Sequence, residues 1–250
     1  MKYIGKNHVS VIGNFICTKE NRLKVLRQQV PVMAEIFEDY DFYINYNTDI
    51  NLDEVRKLFE DNIKNLHFTN DLRKDWGNTT LDLLKKVKTS HVFYMLEDYV
   101  YNYNFESDYI ITDLNENIVT EVDIQDRKKF WENMIKESVV NDNVKHMFLA
   151  KIKKYLPPSN FVANCGYVEK DYTYNYLAKN SPTGVYSSSA IHDVNIFMTV
   201  LENYIKSHSL PSPGEFEQRN EIMRSFGELL CAIPKEQIVI QTHLEGEIDR

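Results

Sequence analysis

Glycine is scarce in this chain of 250 residues, which contains 8 glycines against 16 tyrosines. Neither a GxGxxG nor a Walker A pattern occurs, which excludes the common glycine-rich phosphate loops. No apolar run approaches the roughly 20 residues that a membrane-spanning helix requires. The first residues contain no uninterrupted apolar core with a cleavage site, so we expect no secretory signal. We therefore expect a cytoplasmic protein, at most peripheral to a membrane.

Cysteine and net positive charge are also in short supply. Cys17, Cys165 and Cys231 are far apart and form no metal-binding pattern, so we expect buried thiols in a reducing compartment. With 29 Lys and Arg against 37 Asp and Glu, the net charge is −8, which argues against a nucleic-acid partner. This balance leaves room for a local basic pocket that binds phosphate groups.

Strands and helices alternate through the first hundred residues. Apolar runs predict strands at residues 8–15, 41–46, 65–69 and 91–96. Helical spacing predicts helices at residues 19–37, 52–63 and 79–87. We expect Thr18 to cap the first helix and Pro31 to kink or divide it. This order is typical of an α/β fold with a mostly parallel central sheet and helices on both faces.

The pattern is less regular in the remaining residues. We predict helices at residues 123–139, 142–155 and 194–205, the last opened by His192 or Asp193. We predict strands at residues 108–112, 161–168, 184–188 and 237–242. No internal repeat marks a second domain, so we interpret the chain as one domain.

Polar side chains follow each of the first four predicted strands. They are Thr18 and Glu20, then Asn45 and Asn47, then Asn70 and Asp71, and finally Glu97 and Asp98. The carboxyl ends of parallel strands meet at one sheet edge, where ligands of open α/β sheets bind. Two carboxylates after a buried strand are costly unless compensated, and a hydrated divalent cation with a diphosphate would compensate them. The alternative is that Glu97 and Asp98 begin a solvated loop.

The order and spacing of these motifs resemble those of GT-A glycosyltransferases, especially bacterial and viral members with a central motif similar to L-E-D-D-W. The segments that carry the resemblance are Thr18-Lys19-Glu20-Asn21-Arg22, residues 77–98 ending in Leu96-Glu97-Asp98-Tyr99, Pro213-Gly214-Glu215 and His243-Leu244-Glu245-Gly246. It implies one Rossmann-like domain. Residues 1–101 would bind a nucleotide sugar, residues 102–180 would form a helical flanking region, and residues 181–250 would complete the acceptor side.

The resemblance also implies ligands and their binding residues. The donor would be a nucleoside-diphosphate sugar, contacted by Thr18, Glu20, Arg22, Asn45, Asn47, Arg73, Lys74, Gly77 and Tyr99. A Mn²⁺ or Mg²⁺ ion held by Glu97, Asp98 and His243 would neutralise the leaving nucleoside diphosphate. Tyr99 stands where the family usually has a third acid, and a metal-independent relative would instead use Tyr99, Tyr101 and Lys170. Arg22 could also be an exposed helix residue paired with Glu20 or Asp49.

An inverting transfer needs a carboxylate that takes the proton of the acceptor hydroxyl as it attacks the anomeric carbon. The candidates for this base are Glu215, Glu217 and Asp193. The acceptor would be a glycan, a glycolipid or a glycoprotein. Two other functions stay open: a non-catalytic nucleotide- or carbohydrate-binding module, and a nucleotidyltransferase, for which glycine is sparse.

Overall fold

A computed structural model describes residues 5–72, 75–97, 99–100, 124–149, 166–180, 189–206, 228–236 and 240–241 of the chain. The strands predicted at residues 108–112 and 184–188 lie outside these ranges, as do the ends of several other predicted elements. Cys17 and Cys231 are buried, as expected, and burial raises the pKa of the Cys231 thiol to about 12. Cys165 lies outside the described residues.

The alternation predicted for the first hundred residues is confirmed. The strands are β1 (Val9–Phe15), β2 (Asp41–Tyr46), β3 (Asn65–Thr69) and β4 (His91–Met95). The helices are α1 (Glu20–Ile36), α2 (Leu52–Asn62) and α3 (Trp76–Leu84). The α3 helix begins three residues before its predicted start, because Asp75 caps it by accepting a 2.8 Å hydrogen bond from the Asn78 backbone N–H.

The predicted cap of α1 by Thr18 and its predicted division at Pro31 are wrong. Lys19, not Thr18, occupies the N-cap position, and the Lys19 side chain makes no capping hydrogen bond. Pro31 lies inside α1, which continues through it to Ile36 as one helix. A proline interrupts only one backbone hydrogen bond. Buried side chains on both sides of Pro31, including Val30 and Met33, keep the helix packed on the sheet.

The remaining elements are shorter. The strands are β5 (Tyr99–Val100), β6 (His146–Phe148), β7 (Tyr167–Glu169), β8 (Thr173–Leu177), β9 (Ala190–Asp193), β10 (Leu230–Pro234) and β11 (Ile240–Gln241). The helices are α4 (Ile124–Met134), which continues into a π-helical segment at Ile135–Asn141, and α5 (Val194–Ile205). Single 3₁₀ turns occupy Gly5–Asn7 and Ala178–Asn180.

Nine strands form one sheet in the order β3-β2-β1-β4-β9-β6-β10-β8-β7, and β5 pairs with β11 in a separate two-stranded sheet. The strands β3, β2, β1 and β4 are mutually parallel, and so are β6 and β10. The other four pairs of the large sheet are antiparallel, and so is the separate β5–β11 pair. Among the described residues there are thus five antiparallel and four parallel pairs. The prediction of a mostly parallel sheet is therefore wrong, because parallel pairing dominates only its first half.

Neighbouring residues of β4 pack against helices on opposite faces of the sheet. Phe93 contacts Phe37, at the end of α1, and Trp131 of α4, with ring centroids 5.3 and 5.4 Å away. Tyr94 instead contacts Trp76 of α3 and Phe197 of α5, at 6.2 and 6.0 Å. Because successive strand residues point to opposite faces, helices cover both faces, as predicted.

The segment predicted as a helix at residues 142–155 contains strand β6 instead. His146, Met147 and Phe148 are buried between β9 and β10 and pair with both strands. Periodicity alone does not separate a short buried strand from a helix, and backbone partners on both sides decide in favour of the strand. Residues 150–155 lie outside the described ranges.

Candidate functional site

The order of the strands reverses direction between β1 and β4. From β1 the chain continues to β2 and then β3 on one side, and it then crosses back to place β4 on the other side. Such a switch point opens a crevice at the carboxyl ends of the two strands, where ligands of open α/β sheets bind. Here the crevice lies between the residues that follow Phe15 and those that follow Met95.

An ion pair bridges this crevice. Arg22, in the first turn of α1, places Nη1 2.5 Å from Oε1 of Glu97, which follows β4. The two side chains are only 16% and 10% exposed. The alternative pairing of Arg22 with Glu20 or Asp49 is therefore wrong. Sequence reasoning selected both residues as site candidates without indicating their contact, because they are 75 positions apart.

The position of Arg22 is unusual for a cation. The amino end of a helix carries a partial positive charge, which disfavours a positive side chain in the first turn. Glu97 compensates this charge, and it is the one hydrogen-bond partner of the Arg22 side chain within the described ranges. A guanidinium has five N–H donors, so Arg22 can bind an anion while it contacts Glu97.

Hydrogen bonds join the loops that follow β1, β2 and β3. The Tyr46 hydroxyl lies 2.8 Å from the carbonyl oxygens of both Cys17 and Ile50. Asn70 donates from Nδ2 to the carbonyls of Tyr46 and Thr48, at 2.7 and 3.0 Å. This bonding holds the three loops in one arrangement beside the Arg22–Glu97 pair.

Asn45, predicted to contact a ligand, is completely buried. Its Nδ2 donates to Oδ1 of Asn14, and its Oδ1 accepts from the Thr69 hydroxyl and the Asp71 backbone N–H, at 2.9–3.1 Å. Asn14 in turn donates to Trp76 O and Thr80 Oγ1. The amide of Asn45 therefore supports the loop after β3 and does not face the crevice.

The other predicted donor contacts differ in exposure. Thr18 and Asn47 are half-buried in the loops after β1 and β2, and Gly77 is buried in the first turn of α3. Glu20 is exposed and pairs with Arg27, which also binds Glu54 through Nε at 2.6 Å. Thr18 and Asn47 are thus well placed for a ligand at this edge, whereas Glu20 belongs to a surface ion-pair cluster.

Asp193 lies at the opposite edge of the sheet from Glu97. It pairs with His91, the first residue of β4, whereas Glu97 follows the last. Asp193 caps α5 by accepting from the Ile196 backbone N–H at 3.1 Å, and Oδ2 lies 2.7 Å from Lys145 Nζ. Burial raises the pKa of Asp193, but the hydrogen bonds from Lys145 and Ile196 outweigh burial and lower it overall. The base candidate Asp193 does not share an edge with Glu97.

Several predicted site residues lie outside the described residues. They are Arg73, Lys74, Asp98, Tyr101, Glu215, Glu217 and His243. Tyr99 belongs to β5, where it pairs with Gln241 of β11. Lys170 follows β7, five strands along the sheet from β4, which corresponds to about 24 Å at the usual strand spacing. Its Nζ lies 3.1 Å from Asp142 Oδ2, so Lys170 is remote from the crevice.

The described residues do not form a metal site. No group of three His, Cys, Asp or Glu side chains among them could hold an ion. Glu97 is the predicted metal ligand that the structure describes, and its carboxylate already contacts the positive charge of Arg22. As placed, Glu97 does not fit a ligand of a divalent cation, because the cation would compete with a guanidinium for the same carboxylate.

Two histidines meet inside the sheet, a contact that sequence reasoning did not indicate. His146 of β6 and His192 of β9 face each other with their Nδ1 atoms 3.2 Å apart. Burial lowers the pKa of His146 to about 4, and burial together with the neighbouring His146 lowers the pKa of His192 well below its usual value. Both rings are neutral at pH 7 and lie on the half of the sheet away from the crevice.

The fold is GT-A-like: a sheet with helices on both faces, a parallel first half and a crevice at the switch point. No family model and no curated protein matches this chain. Among solved structures, S. aureus TarS 1-349 superposes with a TM-score of 0.54 at 11% identity, covering 94% of this chain and 60% of that one.

Two further TarS structures have the same fold. The 1-349 fragment in complex with UDP-GlcNAc gives a TM-score of 0.52 at 12% identity, over 96% of this chain and 60% of that one. A longer TarS chain gives a TM-score of 0.51 at 12% identity, over 94% of this chain and 36% of that one. The present chain thus spans less than two thirds of the length of each of these TarS chains. Within the described ranges, no helix has the length and apolar character needed to cross a membrane.

Proposed function

We propose that this protein is a glycosyltransferase that moves a sugar from a nucleoside-diphosphate sugar to a glycan or glycoconjugate acceptor. The observation that carries the proposal is the half-buried cation of Arg22, held by Glu97 at the switch point of the sheet. The TarS fragment with this fold was obtained in complex with UDP-GlcNAc, which supports a nucleotide-sugar donor.

The donor would lie along the loops that follow β1, β2 and β3. Thr18 and Asn47 would contact the base and the ribose, since both are partly accessible and sit in the hydrogen-bonded loops. The diphosphate would bind at the amino end of α1, where Arg22 adds a full positive charge to that of the helix dipole. Arg73 and Lys74 would contribute further positive charge.

Transfer would proceed by attack of an acceptor hydroxyl on the anomeric carbon. Glu215 or Glu217 would take the hydroxyl proton as the new C–O bond forms and the bond to the diphosphate oxygen breaks. The leaving nucleoside diphosphate carries the electron pair of the broken bond, and Arg22 would stabilise that negative charge. The acceptor would be a glycan, glycolipid or glycoprotein, used in the cytoplasm or at a membrane surface.

The metal ion stays a prediction that rests on Asp98 and His243. Asp98 precedes Tyr99, and His243 comes two residues after Gln241, the partner of Tyr99. A bound Mn²⁺ or Mg²⁺ would supply Lewis-acid stabilisation of the leaving diphosphate.

A thermal-shift screen with UDP, GDP, dTDP and CMP, each with EDTA or Mn²⁺, tests the proposal. A ligand at a hundredfold excess over Kd adds about 2.7 kcal/mol to the stability of the folded state. We expect one nucleoside diphosphate to raise the melting temperature, and its sugar conjugate to be hydrolysed or transferred. No shift with any of the four would refute the proposal, and binding without turnover would favour a non-catalytic module.

A further inference from the structure

We infer that Glu97 is a positioning residue that holds the Arg22 guanidinium in place for the diphosphate of the donor. This inference rests on the proposed function and changes the role that the sequence suggests for Glu97, from metal ligand to anchor of a protein cation. It starts from the short contact between Nη1 of Arg22 and Oε1 of Glu97, two side chains that are largely withdrawn from water.

Arg22 needs such an anchor for two reasons. Its charge lies in the first turn of α1, where the helix dipole repels it. Its long side chain would also lose conformational entropy on binding if an incoming ligand alone had to order it. With Glu97 in contact, both costs are met before the ligand arrives, which is the usual route to preorganised binding.

Arg27 of the same helix provides a contrast. It also contacts two carboxylates, of Glu20 and Glu54, but its side chain is 40% exposed against 16% for Arg22. The Arg27 pairs lie away from the crevice and follow the ordinary pattern of surface ion pairs. Burial at the switch point thus distinguishes the Arg22–Glu97 pair from the other arginine contact of α1.

The assignment also accounts for the missing third acid. Tyr99 stands at the position of a family carboxylate, and Glu97 is engaged by Arg22, so the described part of the motif supplies no uncommitted carboxylate for a metal ion. A guanidinium fork binds phosphate oxygens in a fixed planar geometry. Arg22 would then provide, from the protein itself, part of the charge neutralisation that the resemblance assigns to a metal.

A double-mutant cycle tests the inference. Affinities for UDP, GDP and dTDP are measured by calorimetry in EDTA for the wild type, Glu97→Gln, Arg22→Gln and the double variant. We expect Arg22→Gln to weaken the tightest of the three at least tenfold and Glu97→Gln about fivefold. Because Glu97 acts through Arg22, the double variant should bind no more weakly than Arg22→Gln alone. Affinity for the corresponding nucleoside, which lacks phosphates, should not change.

Three comparisons keep the test decisive. Arg22→Lys retains a charge beside Glu97, so it preserves the fold and isolates the loss of the fork, with an intermediate affinity expected. The matched control is the Arg27→Ala and Glu54→Gln cycle in the same helix region, with no change in affinity expected. Circular dichroism and melting temperature establish that each variant is folded.

The inference is overturned if the losses from Glu97→Gln and Arg22→Gln add in the double variant. It is also overturned if Glu97→Gln weakens Mn²⁺ binding, measured by calorimetry with the metal alone, because Glu97 would then be a metal ligand. If wild-type protein binds none of the three nucleotides, the proposed function itself fails. Nucleotide binding by wild type together with additive losses refutes only the role of Glu97.

Discussion

Two ion pairs stand at opposite edges of the same sheet, each beside the amino end of a helix. At one edge Asp193 caps α5 and contacts Lys145, so the acid sits at the helix end and the cation outside. At the other edge the arrangement is inverted: Arg22 sits in the first turn of α1, and Glu97 outside it. The first arrangement agrees with the helix dipole and the second opposes it.

We interpret the Lys145–Asp193 pair as structural and the Arg22–Glu97 pair as part of the proposed donor site. Asp193 accepts a hydrogen bond from the backbone of α5 and pairs with Lys145, and both contacts stabilise the fold. The Arg22–Glu97 pair places a cation at a helix end where the dipole disfavours it and only Glu97 compensates it among the described residues. Proteins keep such locally unfavourable arrangements chiefly at functional sites.

Loss of the structural pair should have the largest effect on stability. We expect Asp193→Ala to lower the free energy of unfolding by about 3 kcal/mol, since it removes an N-cap and leaves Lys145 without its carboxylate. Chemical denaturation measures this change, and nucleotide affinity should be unaltered. Asp193→Asn retains the cap and removes the charge, so it should cost less. An equal cost for both variants would mean that the cap contributes nothing.

The edge of the sheet that contains the Arg22–Glu97 pair also contains Asn45, whose side chain we interpret as structural. Asn45→Ala should cost about 2–3 kcal/mol of stability, because it leaves buried groups of Asn14, Thr69 and Asp71 without their partner. The melting temperature and UDP affinity of the variant separate the two roles. A variant of normal stability with lost affinity would contradict the structural role and restore the predicted ligand contact.

Acid should weaken the half of the sheet that contains the histidines. The folded-state pKa of His146 is lowered from 6.5 to about 4, so the unfolded chain binds more protons than the folded one between these values. Stability therefore falls as the pH drops below 6.5, by about 2 kcal/mol at pH 5 from His146 alone. Urea denaturation at pH 7.5 and 5 measures the loss. His146→Phe should reduce the pH dependence, and an unchanged pH dependence in this variant would contradict the role of His146.

The smallest effect is expected from the surface pairs of α1. Arg27→Ala should change the free energy of unfolding by less than about 1 kcal/mol, because its contacts with Glu20 and Glu54 are exposed. High salt should remove most of even this effect. A larger loss, comparable with that of Asp193→Ala, would mean that exposure does not distinguish the arginine contacts of this helix.

The sequence predicted the first half of the fold far better than the second. The elements from β1 to β4 are separated by clear turn signals and have regular apolar spacing, so their order and nearly all their bounds are correct. The strands β8, β9 and β10 are short and include polar residues such as His192 and Asn175, and only their position between other strands buries them. Such strands have no periodicity of their own.

The same limit applies to the candidate site. Glu97 was identified from its place after a strand and Arg22 from the family resemblance, but the contact between them depends on the three-dimensional approach of α1 to the end of β4. Asn45 has the same polar character as Asn47 and occupies the same strand end, yet one is buried and the other is accessible. Strand alternation places residues two positions apart on the same face, so it does not separate Asn45 from Asn47. Asn47 follows the last residue of β2, and the neighbouring loops decide its exposure.

The place of β9 in the sheet has a consequence for synthesis of the chain. On the side away from β1, β4 pairs with β9. The first residue of β9, Ala190, comes 95 positions after Met95, the last residue of β4. Ribosomes add about 5–20 residues per second, so β4 stays unpaired on that side for roughly 5–20 s. An unpaired edge of apolar residues promotes aggregation. The nascent chain therefore passes through a stage in which this apolar edge is without its partner strand and most exposed to aggregation.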